Sequence, residues 1–142
     1  MNKKELFLKF VSFTTSVHHV THELTKNAKS DTITSVQYSI LEYIFISQPV
    51  TPSQISDCQN MSMPNTSREL KKLFDKNLIE KSVDEEDRRK QYIHLSKDGE
   101  IMMNAAFTLI ETNFLTRIQG ASKEDLVAIE QALDTLQKKI FY

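Results

Sequence analysis

Three polar side chains recur along one predicted helix at a spacing that suits contact with nucleic acid. Asn65, Arg68 and Lys72 are three and four residues apart, so they share one face of a helix with about 3.6 residues per turn. Asparagine and arginine can form bidentate hydrogen bonds with base edges, and Lys72 can reach phosphate. The backbone N–H groups next to Ser62 add a site for an anion. Taken alone, the pattern fits a solvated basic helix face equally well.

A second basic cluster lies in the charged segment at residues 84–90, "DEEDRRK", where four acids run directly into three bases. If Asp87 pairs with Arg89 two residues later, it holds that guanidinium extended from the chain. Arg88 and Arg89 can then enter a minor groove, whose narrow A·T tracts attract arginine. The alternative is a charge run that is merely solvated.

The residues before Asn65 predict a short helix and a turn. Thr51 is a strong N-cap, Pro52 takes the first helical position, and Gln54 completes a capping box. We expect this helix to end near Asn60.

The helix that carries Asn65 should therefore be the second helix of a helix-turn-helix. Ser62 caps its start, and Asn77 ends it in the left-handed conformation. The side opposite Asn65 is predicted to be buried and comprises Met63, Thr66, Ser67, Leu70, Leu73 and Phe74.

Two runs of period two, "LIEKSV" and "QYIHL", flank the charged segment and predict a β-hairpin. A helix over residues 34–47 precedes the helix-turn-helix and starts with Thr34 and Gln37 in a capping-box pattern. A further helix begins near Ser96 and is expected to bury Met102, Ala105, Leu109 and Leu115.

The first and last helices each carry one continuous apolar stripe at helical spacing. Ser122 and Asp125 form the N-cap pattern of the last helix. The predicted fold is mainly α with a small β-hairpin, as a single domain over residues 1–142. The stripes comprise Leu6, Phe10, Phe13, Val17, Val20 and Leu24 in the first helix and Leu126, Ile129, Leu133, Leu136 and Ile140 in the last.

Composition narrows the class of protein. The 142 residues carry a net charge of −1, but residues 1–30 sum to +3 and residues 62–97 to +2, so positive charge is local. No apolar run is long enough for a membrane span, and the N-terminus lacks the pattern of a signal peptide. The lone cysteine, Cys58, fits a reducing cytoplasm.

Residues 63–99, "MPNTSRELKKLFDKNLIEKSVDEEDRRKQYIHLSKDG", resemble the winged helix-turn-helix core of the MarR family of bacterial transcriptional regulators. The matching features are a Ser-Arg pair on the second helix, a Leu-Ile exit into a strand, an Asp-x-Arg wing and a Leu-Ser-x-x-Gly entry to the next helix. Asn77 stands where the family usually has glycine, and Ser96 where it usually has threonine. Both replacements keep the physical role of the position.

The resemblance implies a homodimer that binds a pseudo-palindromic double-stranded DNA operator, as a transcription factor that most simply acts as a repressor. Residues 1–30 and 100–142 would be dimerisation helices, and residues 34–99 the DNA-binding core. The family also implies release by a small-molecule effector between these parts. Dimer contacts are expected from Leu6, Phe10, Phe13, Val17, Leu126, Ile129, Leu133, Leu136 and Ile140.

The same resemblance assigns DNA contacts residue by residue. The recognition helix would use Ser62, Pro64, Asn65, Thr66, Arg68 and Lys72. The wing would use Asp87, Arg88, Arg89 and Lys90. A winged-helix module that binds an acidic protein through the Arg68 and Lys72 face is the alternative function.

His18 and His22 lie one helical turn apart, a spacing that can present two imidazoles to a metal. A site needs a third ligand, and none stands at a fixed spacing, so a structural role on the first helix is favoured over a metal-responsive one.

Cys58 is expected to be a small buried hydrophobe and not a redox sensor. Met61, Met63, Met102 and Met103 are expected to fill the core. The sequence has no phosphate-binding glycine loop and no nucleophile motif, so we expect neither enzyme activity nor a cofactor.

Overall fold

A computed structural model describes residues 1–142. Six helices and two strands follow one another along the chain, in the order that the sequence predicts. Their bounds are α1 Lys3–Thr25, α2 Ser35–Ser47, α3 Pro52–Gln59, α4 Met63–Asp75, β1 Ile79–Val83, β2 Gln91–Leu95, α5 Lys97–Ile118 and α6 Lys123–Lys139.

Side-chain caps start most of these helices where the sequence predicts them. Thr34, Thr51 and Ser122 each form a reciprocal capping box with the residue three positions later. The Ser96 hydroxyl accepts a hydrogen bond from the Gly99 N–H at 3.0 Å and so caps α5. These interactions satisfy backbone N–H groups that a helix leaves without a partner.

Two asparagines end the helices of the helix-turn-helix. Asn60, after α3, has φ 53°, and Asn77, after α4, has φ 59°. Asparagine tolerates this left-handed conformation better than most residues with a side chain. Both predicted helix ends are confirmed.

The strands β1 and β2 form an antiparallel hairpin in which Ile79 pairs with Leu95 and Val83 with Gln91. Val50 adds an isolated bridge to Ile93 and so ties the segment before α3 to the hairpin. The charged segment at residues 84–90 connects the two strands, as predicted.

The hydrophobic core lies in the winged-helix region. Ile40, Leu41 and Ile44 of α2 pack with residues of the helix-turn-helix, the hairpin and the start of α5. The other buried members of this cluster are Ile33, Val50, Ile55, Leu70, Leu73, Leu78, Ile79, Ile93, Leu95 and Met103.

The buried face of α5 differs from our prediction. Met103 and Ala106 are buried, whereas Ala105, Leu109 and Leu115 are exposed and Met102 is only half-buried. The predicted face was wrong because two apolar rows run side by side along this helix. Gly99 sets the rotation: a Cβ there would collide with the carbonyl oxygen of Leu78, so this glycine faces the core, with Met103 one turn later.

The chain falls into two compact units, Met1–Ile110 and Glu111–Tyr142. In the first unit, α1 buries none of its residues, and in the second unit the same is true of α6. No helix combines the length and the apolar character that crossing a bilayer requires.

Candidate nucleic-acid interface

The helix α4 is fixed to the core on one side and open to solvent on the other. Thr66, Leu70 and Leu73 are buried, whereas Asn65 and Arg68 are exposed. The predicted division of the helix is therefore largely correct. It was wrong at Met63 and Ser67, which are exposed, and Phe74 is half-buried.

Polar side chains at the start of α4 hold one another on the exposed face. The Ser62 hydroxyl accepts a hydrogen bond from the Asn65 N–H at 3.2 Å and so caps the helix, next to the exposed ring of Pro64. One turn later, Arg68 donates from Nη2 to the Asn65 Oδ1. The Arg68 guanidinium and the Asn65 amide keep further N–H donors that this bond does not use.

Thr66 does not belong to this surface. Its side chain is 0% exposed, and its hydroxyl donates to the Ser62 carbonyl at 2.9 Å. A fully buried side chain that is already hydrogen-bonded cannot reach a ligand, so we remove Thr66 from the predicted DNA contacts.

A polar network connects α4 to the start of α2. Gln37 is 2% exposed and donates from Nε2 to Glu69 at 3.2 Å, while its Oε1 accepts from the Lys76 ammonium at 3.0 Å. Glu69 in turn pairs with Lys72 at 3.2 Å. Lys76 also donates to the Thr32 carbonyl at 2.7 Å. Buried amides need such partners, and here the partners fix the position of α4.

Sequence reasoning missed this network. It identified Gln37 only as a member of a capping box, and that pairing is present, since the Thr34 N–H donates to Gln37 Oε1 at 3.1 Å. The second role depends on Glu69, 32 residues away. No local spacing signals a contact at that separation.

The loop at residues 84–90, which we call the wing loop, holds the pairing that the sequence predicts. Arg89 donates to Asp87 through Nε at 3.1 Å and Nη2 at 3.4 Å, and its backbone N–H donates to the same carboxylate at 3.1 Å. The Arg89 side chain remains 92% exposed. The wing loop therefore presents a braced arginine beside Arg88 and Lys90, which are exposed as well.

The hydrogen bond from Arg89 holds the pKa of Asp87 below its ordinary value. The backbone closes the rest of the loop. The Asp84 N–H donates to the Lys90 carbonyl at 3.1 Å, and the Lys90 N–H to the Asp87 carbonyl at 2.9 Å. Asp84 also accepts from the Glu86 N–H at 2.9 Å. Two of the four acids thus shape the loop.

The residues predicted to form dimer contacts lie on apolar surfaces that the single chain does not cover. In the first unit, Leu6, Phe13 and Val17 are exposed and Phe10 is half-buried. In the second unit, Leu133 is 59% exposed. Leu136 is half-buried, and the remaining members are exposed: Leu126, Ile129 and Ile140.

His18 and His22 line a cavity of about 550 Å³ between the end of α1 and the start of α2. Lys26, Lys29 and Tyr38 also line it, and no acidic side chain does. The Tyr38 hydroxyl is buried, and the Glu42 carboxylate is close enough to interact with it. Burial, and then the charge of Glu42, raises the pKa of Tyr38 to about 12, so the phenol stays a neutral donor.

Cys58 is exposed, so the prediction of a buried residue was wrong. It lies in the last turn of α3, where the buried face is formed by Ile55 and Ser56. Of the methionines expected in the core, Met103 is buried, Met61 and Met102 are half-buried, and Met63 is exposed.

Comparison with protein-family models matches residues 33–90 to the MarR family. Over these residues, which are less than half of the chain, the sequence is similar to that family. This confirms the resemblance of the sequence and accounts for the order of helix-turn-helix and hairpin. A comparison with curated proteins finds no significant match.

Solved MarR-type structures share the fold over nearly the entire chain. A MarR family protein from Bacillus stearothermophilus is 18% identical, with a TM-score of 0.78 and coverage of 100% of this chain and 99% of that one. Streptococcus pneumoniae FabT in complex with DNA is 21% identical, with a TM-score of 0.67 and coverage of 96% of both chains. S. aureus MepR bound to ethidium bromide is 22% identical, with a TM-score of 0.65 and coverage of 90% and 96%.

Proposed function

We propose that this protein is a MarR-type transcription regulator that binds a pseudo-palindromic operator as a homodimer and represses transcription. One observation carries the proposal: exposed arginines lie on α4 and on the wing loop, and each is held by a side chain of its own element. Asn65 holds Arg68, and Asp87 holds Arg89. A protein with a net charge of −1 thus concentrates positioned cations on two elements that can enter adjacent grooves.

The uncovered apolar stripes support the homodimer. Soluble monomers rarely leave large contiguous apolar patches in water, yet α1 and α6 bury none of their residues in the single chain. A second copy of the chain would cover these stripes and place two α4 helices about one helical turn of DNA apart.

The homodimer can be tested by introducing a single charged side chain into one of the apolar stripes. Leu133→Glu places a carboxylate in the α6 stripe and should halve the molar mass measured by sedimentation at micromolar concentration. Glu130→Gln, on the same helix, is the matched control and should leave the dimer intact. A wild-type protein that sediments as a monomer would contradict the homodimer.

The cavity next to α1 and α2 supports release by a small-molecule effector. Its lining includes histidine, lysine and tyrosine side chains that can donate hydrogen bonds to a small ligand. MepR has been solved with ethidium bromide bound, so the fold accommodates small ligands. Tyr38, whose hydroxyl is buried, is one of the lining residues.

The DNA-binding part is tested by comparing two substitutions on α4. Arg68→Ala should relax discrimination at one base-pair position by about 1–3 kcal/mol, because arginine reads base edges. Lys72→Ala should weaken binding to all sequences alike and reduce the salt dependence. Fluorescence anisotropy with operator and scrambled duplexes at several salt concentrations measures both effects.

Two results would contradict the proposal. Affinity that does not depend on salt would exclude phosphate contacts, since these release counterions. Equal affinity for every duplex would exclude an operator. If the protein shows no preference among duplexes but binds an acidic protein, a protein-interaction module would be favoured.

A further inference from the structure

A cleft of about 250 Å³ lies beside α4, on the side that faces the hairpin. Leu70, Phe74 and Ile93 form part of its apolar lining. Its polar lining comes from Ser67 and Lys71 of α4 and from Lys81 and Gln91 of the hairpin. All four of these polar residues are exposed.

The two lysines of the cleft differ from the other lysines near the end of α4. Lys72 is paired with Glu69, and Lys76 donates to a carbonyl and to Gln37. Neither Lys71 nor Lys81 takes part in any of the ion pairs of the chain, which are Lys72–Glu69, Arg89–Asp87 and His94–Glu80. Lys81 lies over the Phe74 ring at 5.9 Å, an arrangement that orients an ammonium without neutralising it.

Strand register keeps carboxylates of the hairpin away from this cleft. Lys81 is paired with Ile93, and Val83 with Gln91, so these four residues lie on the hairpin face toward α4. Glu80 is on the opposite face, where it pairs with His94 at 3.1 Å. The cleft therefore has cations on two walls and no acid in its lining.

A winged helix-turn-helix places one element in the major groove and the wing in the adjacent minor groove. The phosphate backbone that separates the two grooves must then pass between the helix and the wing. The cleft lies between α4 and the hairpin, where that backbone would pass. Lys71 lies three residues after Arg68 on α4, and Lys81 is on the strand that leads into the wing loop.

We propose that Lys71 and Lys81 clamp one phosphodiester of the DNA backbone between α4 and the hairpin, with Ser67 and Gln91 as neutral hydrogen-bond donors to the same group. The clamp rests on the proposed function. It contributes affinity without base discrimination and fixes how α4 and the wing loop are aligned along the duplex.

The test compares Lys71→Gln, Lys81→Gln and the double variant with Lys123→Gln, which removes the same charge from α6. Each cleft variant should lower affinity for operator and scrambled DNA by the same factor, about fivefold at about 0.15 M salt. Because the slope of log affinity against log salt counts neutralised phosphates, it should decrease by about one in total in the double variant. Lys123→Gln should change neither quantity.

The double variant distinguishes one shared phosphate from two separate contacts. If both lysines hold the same group, the double variant loses less affinity than the product of the single losses. Circular dichroism melting should be unchanged, because both side chains are exposed.

The experiment distinguishes failure of the clamp from failure of the proposed regulator. Wild-type protein that binds DNA, together with cleft variants that match Lys123→Gln, overturns the clamp and leaves the regulator intact. Wild-type protein that binds no DNA overturns both.

Discussion

Helix α4 and the wing loop present their arginines in different ways. On α4, the backbone is held by buried side chains and by the hydrogen bond that Glu69 accepts from Gln37 of α2. In the wing loop, Asp87 alone braces the Arg89 side chain through an ion pair in solvent. The helix is thus positioned by packing, whereas the wing loop depends on local pairing of two exposed side chains.

This difference separates two kinds of contribution to DNA binding. In the proposed complex, packing would hold α4 rigid, so that Arg68 meets particular base edges. An exposed pair is weak by itself, but it restricts a long side chain and so lowers the cost of ordering it on DNA. Substitutions under α4 should therefore affect stability first, and substitutions in the wing loop should affect only binding.

The largest effect is expected under α4. Leu73 is fully buried, so Leu73→Ala should lower the free energy of unfolding by about 2–5 kcal/mol through lost burial and an unfilled cavity. Urea denaturation at fixed protein concentration measures this. Arg88→Ala, in the wing loop, should stay within about 0.5 kcal/mol of wild type. Similar losses in both variants would remove the distinction between the two regions.

Gln37→Ala should have the next largest effect, about 1–3 kcal/mol, because it leaves Glu69 and Lys76 without their buried amide partner. Operator affinity should fall as well, since the contact positions α4. Gln119→Ala, at an exposed site, serves as the control in the same denaturation and binding experiments. Full operator affinity in the Gln37 variant would show that the network does not position α4.

In the wing loop, Asp87→Ala should weaken operator binding by about threefold although it removes a negative charge, because Arg89 loses its brace. Glu85→Ala removes the same charge from the same loop and should leave affinity unchanged or raise it. Fluorescence anisotropy titrations measure the operator affinity of both variants. Tighter binding by the Asp87 variant would make the wing loop a plain charge run.

The smallest effect is a titration shift. Because Arg89 donates to it, the pKa of Asp87 is held below its ordinary value. The ion pair is fully formed at pH values above the ordinary pKa of an aspartate. It is lost as the pH falls through the lowered pKa of Asp87. Carboxyl NMR should give a low midpoint that Arg89→Ala returns to normal. The contribution of this pair should therefore not vary between about pH 5 and 8.

Local patterns explain why much of this could be predicted from sequence. Capping by Thr51, the left-handed end at Asn77 and the pairing of Asp87 with Arg89 all involve residues at most three positions apart or a single backbone preference. Chemistry at that range depends little on the rest of the fold, so it can be read from the chain.

Features that depend on packing across the fold were missed. The contact of Gln37 with Glu69 spans 32 residues, and the rotation of α5 is set by Gly99 against Leu78. Exposure of Cys58 follows from which side of α3 faces the core. Two neighbouring rows of similar side chains on a helix cannot be distinguished in a sequence. Which row is buried depends on the surface against which the helix packs.

The central claim is that α4 and the wing loop together recognise an operator. Selection of genomic fragments by the purified protein tests it directly. We expect enriched fragments to share an inverted repeat with half-site centres about one helical turn apart, and to lose enrichment with Arg68→Ala. Fragments recovered no better than random DNA would contradict the account.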